Sequence, residues 1–282
     1  MHTQVRRAGV RAGGDRPQAV LRVYLLGRFE VVRDDAPIPA HAWRRRRPAD
    51  LLKLVALAPG RLLSRDQVVE TLWPEKDPAS GANNLHRALY DLRQILGARW
   101  VDIARGEVSL DPDAWVDVDA FEAAAGRGDL AGLAQAVALY QGDLCPDDAD
   151  APWLAARRAA LRERFVVAAS PVARSAAADG DAAAALTLLH RLAELRPGDE
   201  DPHRVAVRLL AACGRRAEAL RHLDASERAL RAAGRSPSDE LRALREAIQR
   251  GEVGPKEPRP RTGVGSVVPR RRRASPSSAG RR

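Results

Sequence analysis

Apolar positions recur along this chain at two different periods, and the change of period divides it. Between residues 20 and 33, VLRVYLLGRFEVVR, they alternate: Leu21, Val23 and Leu25 share one face, and after Gly27 come Phe29 and Val31. A period of two predicts two short strands. Asp34-Asp35-Ala36-Pro37 reads as a turn and IPAHAW, residues 38–43, as a third strand. The spacing then lengthens to that of a helix. PADLLKLVALA carries Leu51, Leu52, Val55 and Leu57, with Pro48 at a first helical position and a stop at Pro59-Gly60. Ser64 and Gln67 fit a capping box that opens a second helix, RDQVVETLW, ended by Pro74. Asp77-Pro78 supplies the N-cap and first residue of a third, which runs to Gly97. WVDIARGEVSLD, residues 100–111, predicts a hairpin around Arg105-Gly106, with Val101, Ile103, Val108 and Leu110 on one face. Strands, three helices and a hairpin, in that order, make a winged helix-turn-helix, an α+β unit expected over 20–113.

From Asp117 onward the pattern is helical throughout. GDAAAAL at 180–186 and GRRAEAL at 214–220 are 34 residues apart, and Leu189 matches Leu223, and Leu210 matches Leu244, at the same offset. That is the tetratricopeptide period, one helix hairpin per unit. Two such units are thin alone, so the helical stretches at 118–140 and 152–177 are expected to complete the stack. The chain is therefore read as mainly α: a winged helix followed by an all-α, tetratricopeptide-like domain over 114–251, with a basic disordered arm at 1–19 and a basic disordered tail at 252–282.

Composition changes this picture little. The 282 residues are 45% hydrophobic but only 4% aromatic, which suits helices rich in alanine and leucine. The net charge of +10 belongs mostly to the ends: five arginines against Asp15 in residues 1–22, and nine cations against Glu257 in residues 255–282. The middle is close to neutral, so total charge says little about partners. Cys145 and Cys213 are far apart and are expected as reduced, part-buried thiols. No apolar leader or membrane-length run occurs, which points to a soluble cytoplasmic protein with no membrane partner.

The segment 43–97, from WRRRRPADLLKLVALA to LHRALYDLRQILG, resembles the OmpR-type winged helix at the start of the SARP-like bacterial transcriptional activators. WVDVDAFEAAA, LYQGDLCPDDADAPWLAARRAALRERF and GRRAEALRHLDASERAL resemble their second part, the bacterial transcriptional activator domain. The resemblance covers roughly residues 20–250. It implies binding to direct repeats near promoters as a homodimer, bound to the nucleoid, and recruitment of RNA polymerase. Two features depart from the family. Asp91 sits at the edge of the exposed arc of the third helix, where an acid repels phosphates, and no G-x-x-x-x-G-K-[ST] is present for ATP-dependent control.

The third helix carries the candidate site. Leu85, Leu89, Leu92 and Leu96 form one apolar stripe. At 100° per residue, Asn83, His86, Arg87, Tyr90 and Gln94 fall between about 100° and 200° from Leu85, on the opposite side. Arg87 suits guanine O6/N7, Asn83 and Gln94 suit adenine, and Tyr90 suits a thymine methyl or a phosphate. On any isolated amphipathic helix this would be a solvated face; the order of elements and the family resemblance make it a DNA-reading face. Arg44, Arg45, Arg46 and Arg47, ahead of the first helix, are phosphate candidates, as are Arg93 and the hairpin-tip Arg105. Arg270 to Arg273 would either add salt-sensitive affinity or solvate a tail. The tryptophans are expected in the cores, and His190, His203 and His222 lack metal-ligand spacing. No catalytic motif is found and no metal or cofactor is expected; the expectation is a regulator of transcription, not an enzyme. A tetratricopeptide-type adaptor whose winged helix does not read DNA is the alternative.

Overall fold

The computed structural model describes residues 20–253. The expected basic arm at 1–19, and the tail beyond 253 with Arg270 to Arg273, lie outside these residues.

A first antiparallel pair joins β1 (Leu21–Tyr24) to β2 (Glu30–Arg33), with Val23 opposite Val31. Asp34 and Asp35, both at positive φ, turn the chain into β3 (Ala36–Pro37). The expected third strand over 38–43 is not formed. Pro37 and Pro39 remove ladder donors, so pairing stops after two residues, with one last bond from Ile38 N–H to Val31 O. Ala40–Trp43 instead makes a 3₁₀ turn that sets Trp43 edge-on against Phe29. Helix α1 (Arg46–Ala56) starts two residues earlier than expected, which places Arg46 and Arg47 in its first turn and Pro48 at its third position. First-turn N–H groups have no partner inside a helix, so Pro48 costs no hydrogen bond there.

A short strand not anticipated from the sequence, β4 (Leu62–Ser64), leads into α2 (Arg65–Leu72) through the Ser64–Gln67 capping box. Helix α3 (Pro78–Leu96) is capped by Asp77, whose carboxylate accepts from Ala79 and Ser80 N–H. Gly81 of α3 lies so close to α2 that a Cβ there would overlap Val69 Cγ1. The hairpin of β5 (Val101–Ala104) and β6 (Glu107–Leu110) takes β4 as its third strand.

The next strand, β7 (Trp115–Val116), runs parallel to β1 and completes the first sheet in the order β3-β2-β1-β7. Helices α4 (Asp117–Gly126), α5 (Leu130–Leu139) and α6 (Pro152–Asp179) then pack in succession. A single apolar core runs across the expected boundary at 113/114, from Leu21, Val23 and Leu25 through Leu85 and Leu92 to Phe121, Tyr140 and Phe165. Asp117, first residue of α4, is buried and its Oδ2 accepts from Leu25 and Leu26 N–H at 2.8 and 2.9 Å. Burial pushes its carboxyl up to about 6 against those hydrogen bonds.

The 34-residue repeat appears as α7 (Ala182–Leu195) with α8 (Glu200–Ala212), then α9 (Arg216–Ala232) with α10 (Asp239–Arg250). Gly180 and Gly214 both adopt positive φ just ahead of α7 and α9, a conformation that suits glycine. Leu189, Leu210, Leu223 and Leu244 are all buried in a second cluster. Cys145 is buried as a free thiol, whereas Cys213 is exposed rather than part-buried because it follows the last turn of α8. Among the described residues no helix is long and apolar enough to cross a membrane.

Candidate nucleic-acid interface

Helix α3 divides as its pattern requires. Leu85, Leu89, Leu92 and Leu96 are buried, joined by Ala88, while Asn83, His86, Arg87, Tyr90 and Gln94 are all exposed. Tyr90 is 64% exposed, one of the few large hydrophobic side chains left to solvent among the described residues. The polar flank is thus open to solvent, touched at His86 by Arg65 of α2. Two helices buttress the apolar side, α1 and α2, and β5 packs beside it.

Around this flank the cations fall into two groups. Among the described residues, Arg44, Lys76, Arg87 and Arg105 make no ion pair with a carboxylate, and all are exposed. Arg105 occupies the hairpin tip at positive φ, beside Gly106. The others are engaged within the chain. Arg45 Nη1 meets Asp91 Oδ2 at 2.8 Å, Arg47 meets Asp50 at 3.3 Å, and Arg46 reaches both Asp148 at 3.0 Å and Asp50 at 3.6 Å. Burial raises the Asp50 carboxyl above its ordinary value, opposed first by Arg46 and Lys53. Arg93 is a brace: its Nε donates to Val101 O and its Nη2 to Asp102, tying the hairpin to α3.

Arg45, Arg46, Arg47, Trp73, Arg87 and Asp91 line a recess of about 340 Å³ between the start of α1 and the middle of α3. Arg47 also lies over the Trp73 ring, 5.6 Å from its centroid. Four guanidiniums around one recess favour an anion, and exposed amide, imidazole and phenol groups beside it suit the polar edges of a ligand.

Three residues at this surface escaped the sequence reading. Arg65 opens α2 and was legible only as part of the capping segment, yet its Nη2 sits 3.1 Å from His86 Nε2, and its N–H donates to Gly106 O. It therefore links the hairpin tip to α3. Lys76 lies in the loop before α3, and Asn84 lines the recess. No local pattern marks Arg65 or Lys76, which the tertiary fold brings to this side, whereas Asn84 sits on α3 itself, outside the arc opposite the leucines.

The tryptophans lie in or against the core, as expected: Trp73 and Trp100 are buried, and Trp43 and Trp153 pack on it. Trp115 contacts Tyr24 at a centroid distance of 5.2 Å. The three histidines of the helical half come together, His190 stacked on His222 at 5.2 Å and His203 Nδ1 3.3 Å from His222 Nε2. Among the described residues no group of three or more potential ligands is arranged to hold a metal ion.

Comparison with known proteins adds two findings. Residues 116–249 match the family described as the bacterial transcriptional activator domain. Among solved structures, the chain is similar to Mycobacterium tuberculosis EmbR, captured in complex with a low affinity phosphopeptide, at 25% identity and a TM-score of 0.62. The alignment covers 83% of this chain and 66% of that one, so this chain spans about two thirds of the relative's length. No curated protein matches the chain in sequence.

Proposed function

On the premise that this chain is a SARP-like transcriptional regulator, with a bacterial transcriptional activator domain over residues 116–249, we propose that it binds double-stranded DNA sequence-specifically. Helix α3 enters the major groove and the β5–β6 hairpin lies along the adjoining backbone. One observation carries this reading: Asn83, His86, Arg87, Tyr90 and Gln94 are all exposed on a helix whose opposite side is locked into the core.

Roles follow from side-chain chemistry. Arg87, without a carboxylate partner, takes guanine O6/N7, and Asn83 and Gln94 offer paired donor and acceptor to adenine. Tyr90 meets a thymine methyl or a phosphate, and His86, steadied by Arg65, adds a donor or acceptor at the groove edge. Arg44 and Arg105 face backbone phosphates, with Arg45, Arg46 and Arg47 behind them. Arg93 holds the hairpin in place. The helical half joins two copies on promoter repeats, or contacts RNA polymerase, so that binding activates transcription.

A fluorescence-anisotropy titration of the full chain against genomic fragments, repeated across a salt series, tests this. Expected are a linear fall of log affinity with log salt and a preference for one repeated sequence. Arg87→Ala should weaken the preferred site by about 1–3 kcal/mol and relax the preference at one base position. Absence of binding at low salt, or an Arg87→Ala protein that keeps the full preference, overturns the reading in favour of a protein-interaction adaptor.

A further inference from the structure

Asp91 is out of place on a surface that meets phosphates. It lies one residue beyond the exposed Tyr90 and lines the recess formed with four arginines. Its side chain is 23% exposed, its partner Arg45 is 59% exposed, and the two meet at 2.8 Å. Arg45 is the N-cap residue of α1; its guanidinium, which has no acceptor to offer the first-turn N–H groups, reaches across 46 positions of sequence to α3. In the same recess Arg46 and Arg47 lean on Asp50, and Arg87 has no carboxylate partner among the described residues. The recess therefore has the dimensions and donors of an anion site; three of its four guanidiniums already face internal carboxylates, and of those carboxylates only Asp91, the partner of Arg45, lines the recess itself.

Resting on the DNA-binding reading, we propose that this recess receives a backbone phosphate of the duplex and that Asp91 is its built-in competitor, holding Arg45 until the phosphate displaces it. Arg45 cannot give its full charge to two anions at once. A phosphate at Arg45 must share it with Asp91 or release Asp91 into a like-charge contact, and both outcomes weaken backbone binding. On the preferred sequence the base contacts of α3 supply the free energy for that exchange; on unrelated DNA they are missing. Asp91 thus weakens backbone binding on either sequence, and on unrelated DNA, where no base contacts offset the cost, it keeps the phosphate out of the recess; it tempers affinity for DNA while touching no base. This also accounts for an acid at the edge of a helix face that is expected to meet phosphates.

The test uses Asp91→Asn, a near-isosteric change on the surface, with Asp91→Ser as a second variant and a thermal melt of each to confirm folding. Anisotropy titrations are run on the preferred fragment and on an unrelated duplex of equal length, across a potassium chloride series. Expected for Asp91→Asn is a severalfold gain on both duplexes, at least as large on the preferred one, with a log–log salt slope steeper by about 0.9 on the unrelated duplex, the signature of one more neutralised phosphate there. Arg45→Ala uncovers Asp91 and should weaken both duplexes; adding Asp91→Asn to it should recover part of that loss. Unchanged affinity and slope in Asp91→Asn, or an Arg45→Ala/Asp91→Asn protein no tighter than Arg45→Ala, overturns the proposal while leaving the DNA reading intact. A parent protein that binds neither duplex at low salt overturns both.

Discussion

Lys53 of α1 and Asp148, 95 residues later in the helical half, form a buried ion pair with Nζ and Oδ2 2.6 Å apart. Their side chains are 6% and 8% exposed, and Lys53 also lies 4.1 Å from the centroid of the Phe29 ring. Breaking such a pair from one side leaves a charge in a low-dielectric site, at a cost of about 3–5 kcal/mol. The two sides are unequal, because Arg46 also reaches Asp148. Asp148→Asn should therefore destabilise more than Lys53→Met, which leaves the carboxylate with Arg46. Urea unfolding of both variants checks this; the reverse order would mean that Arg46 does not back up the pair.

Gly81 marks the closest approach of α2 and α3. Alanine there gains roughly 1 kcal/mol of helix propensity but forces Val69 aside. Overpacking costs about 1–3 kcal/mol, so Gly81→Ala should be destabilised overall and should tilt α3. Adding Val69→Ala should recover stability. Chemical denaturation of the single and double variants reads both effects.

The histidine cluster makes the helical half sensitive to acid. Burial lowers His203 and, together with the neighbouring imidazoles, brings His222 down to about 4; Asp199 and Glu200 oppose this at His203, and His190 adds to it. A histidine whose folded value is depressed stabilises the fold fully above its unfolded value, about 6.5. That contribution fades as pH falls from there towards 4. Melting temperatures measured from pH 7.5 to 4.5 should drop, and His222→Gln should flatten the drop. An equally steep profile in that variant would place the acid sensitivity elsewhere.

Arg93, which reaches the hairpin from α3, and Arg105, at the hairpin tip, should behave differently. Arg105→Ala, at the tip, should weaken binding evenly across sequences and reduce the salt slope by about 0.9. Arg93→Ala removes the brace to Val101 O and Asp102, so it should cost stability and blur sequence preference without that change of slope. Paired melts and anisotropy titrations separate the two.

The legible features of this chain are local ones. The leucine stripe of α3, the Ser64–Gln67 box, the Asp77 cap and the Arg105-Gly106 turn each lie within a few residues, where period and capping chemistry act directly. The 34-residue repeat was legible because small and large apolar residues recur at fixed positions. What escaped depends on long separations: Arg45 with Asp91, Arg65 with His86, Lys53 with Asp148, and Asp117 with the amides of Leu25 and Leu26. A run such as Arg44 to Arg47 looks like free charge in one dimension, yet three of its four members face carboxylates, and those of Arg45 and Arg46 come from other elements. The third strand over 38–43 failed for a different reason, since Pro37 just before it and Pro39 within it count for more than the alternation of its apolar residues.

The shared core between winged helix and helical half has a consequence for geometry on a promoter. β7, Asp117 and the Lys53–Asp148 pair fasten β1 and α1, which packs on α3, to α4 and the turn before α6; on the proposed DNA reading, the seating of α3 in the groove would dictate the azimuth at which the tetratricopeptide-like end projects from the double helix. A rigid pointer of this kind is sensitive to helical phase. Inserting about 5 base pairs between the bound site and the promoter swings it to the far side, and about 10 restores it. Reporter output from such an insertion series should oscillate; a steady decline with distance would show that the two halves swivel.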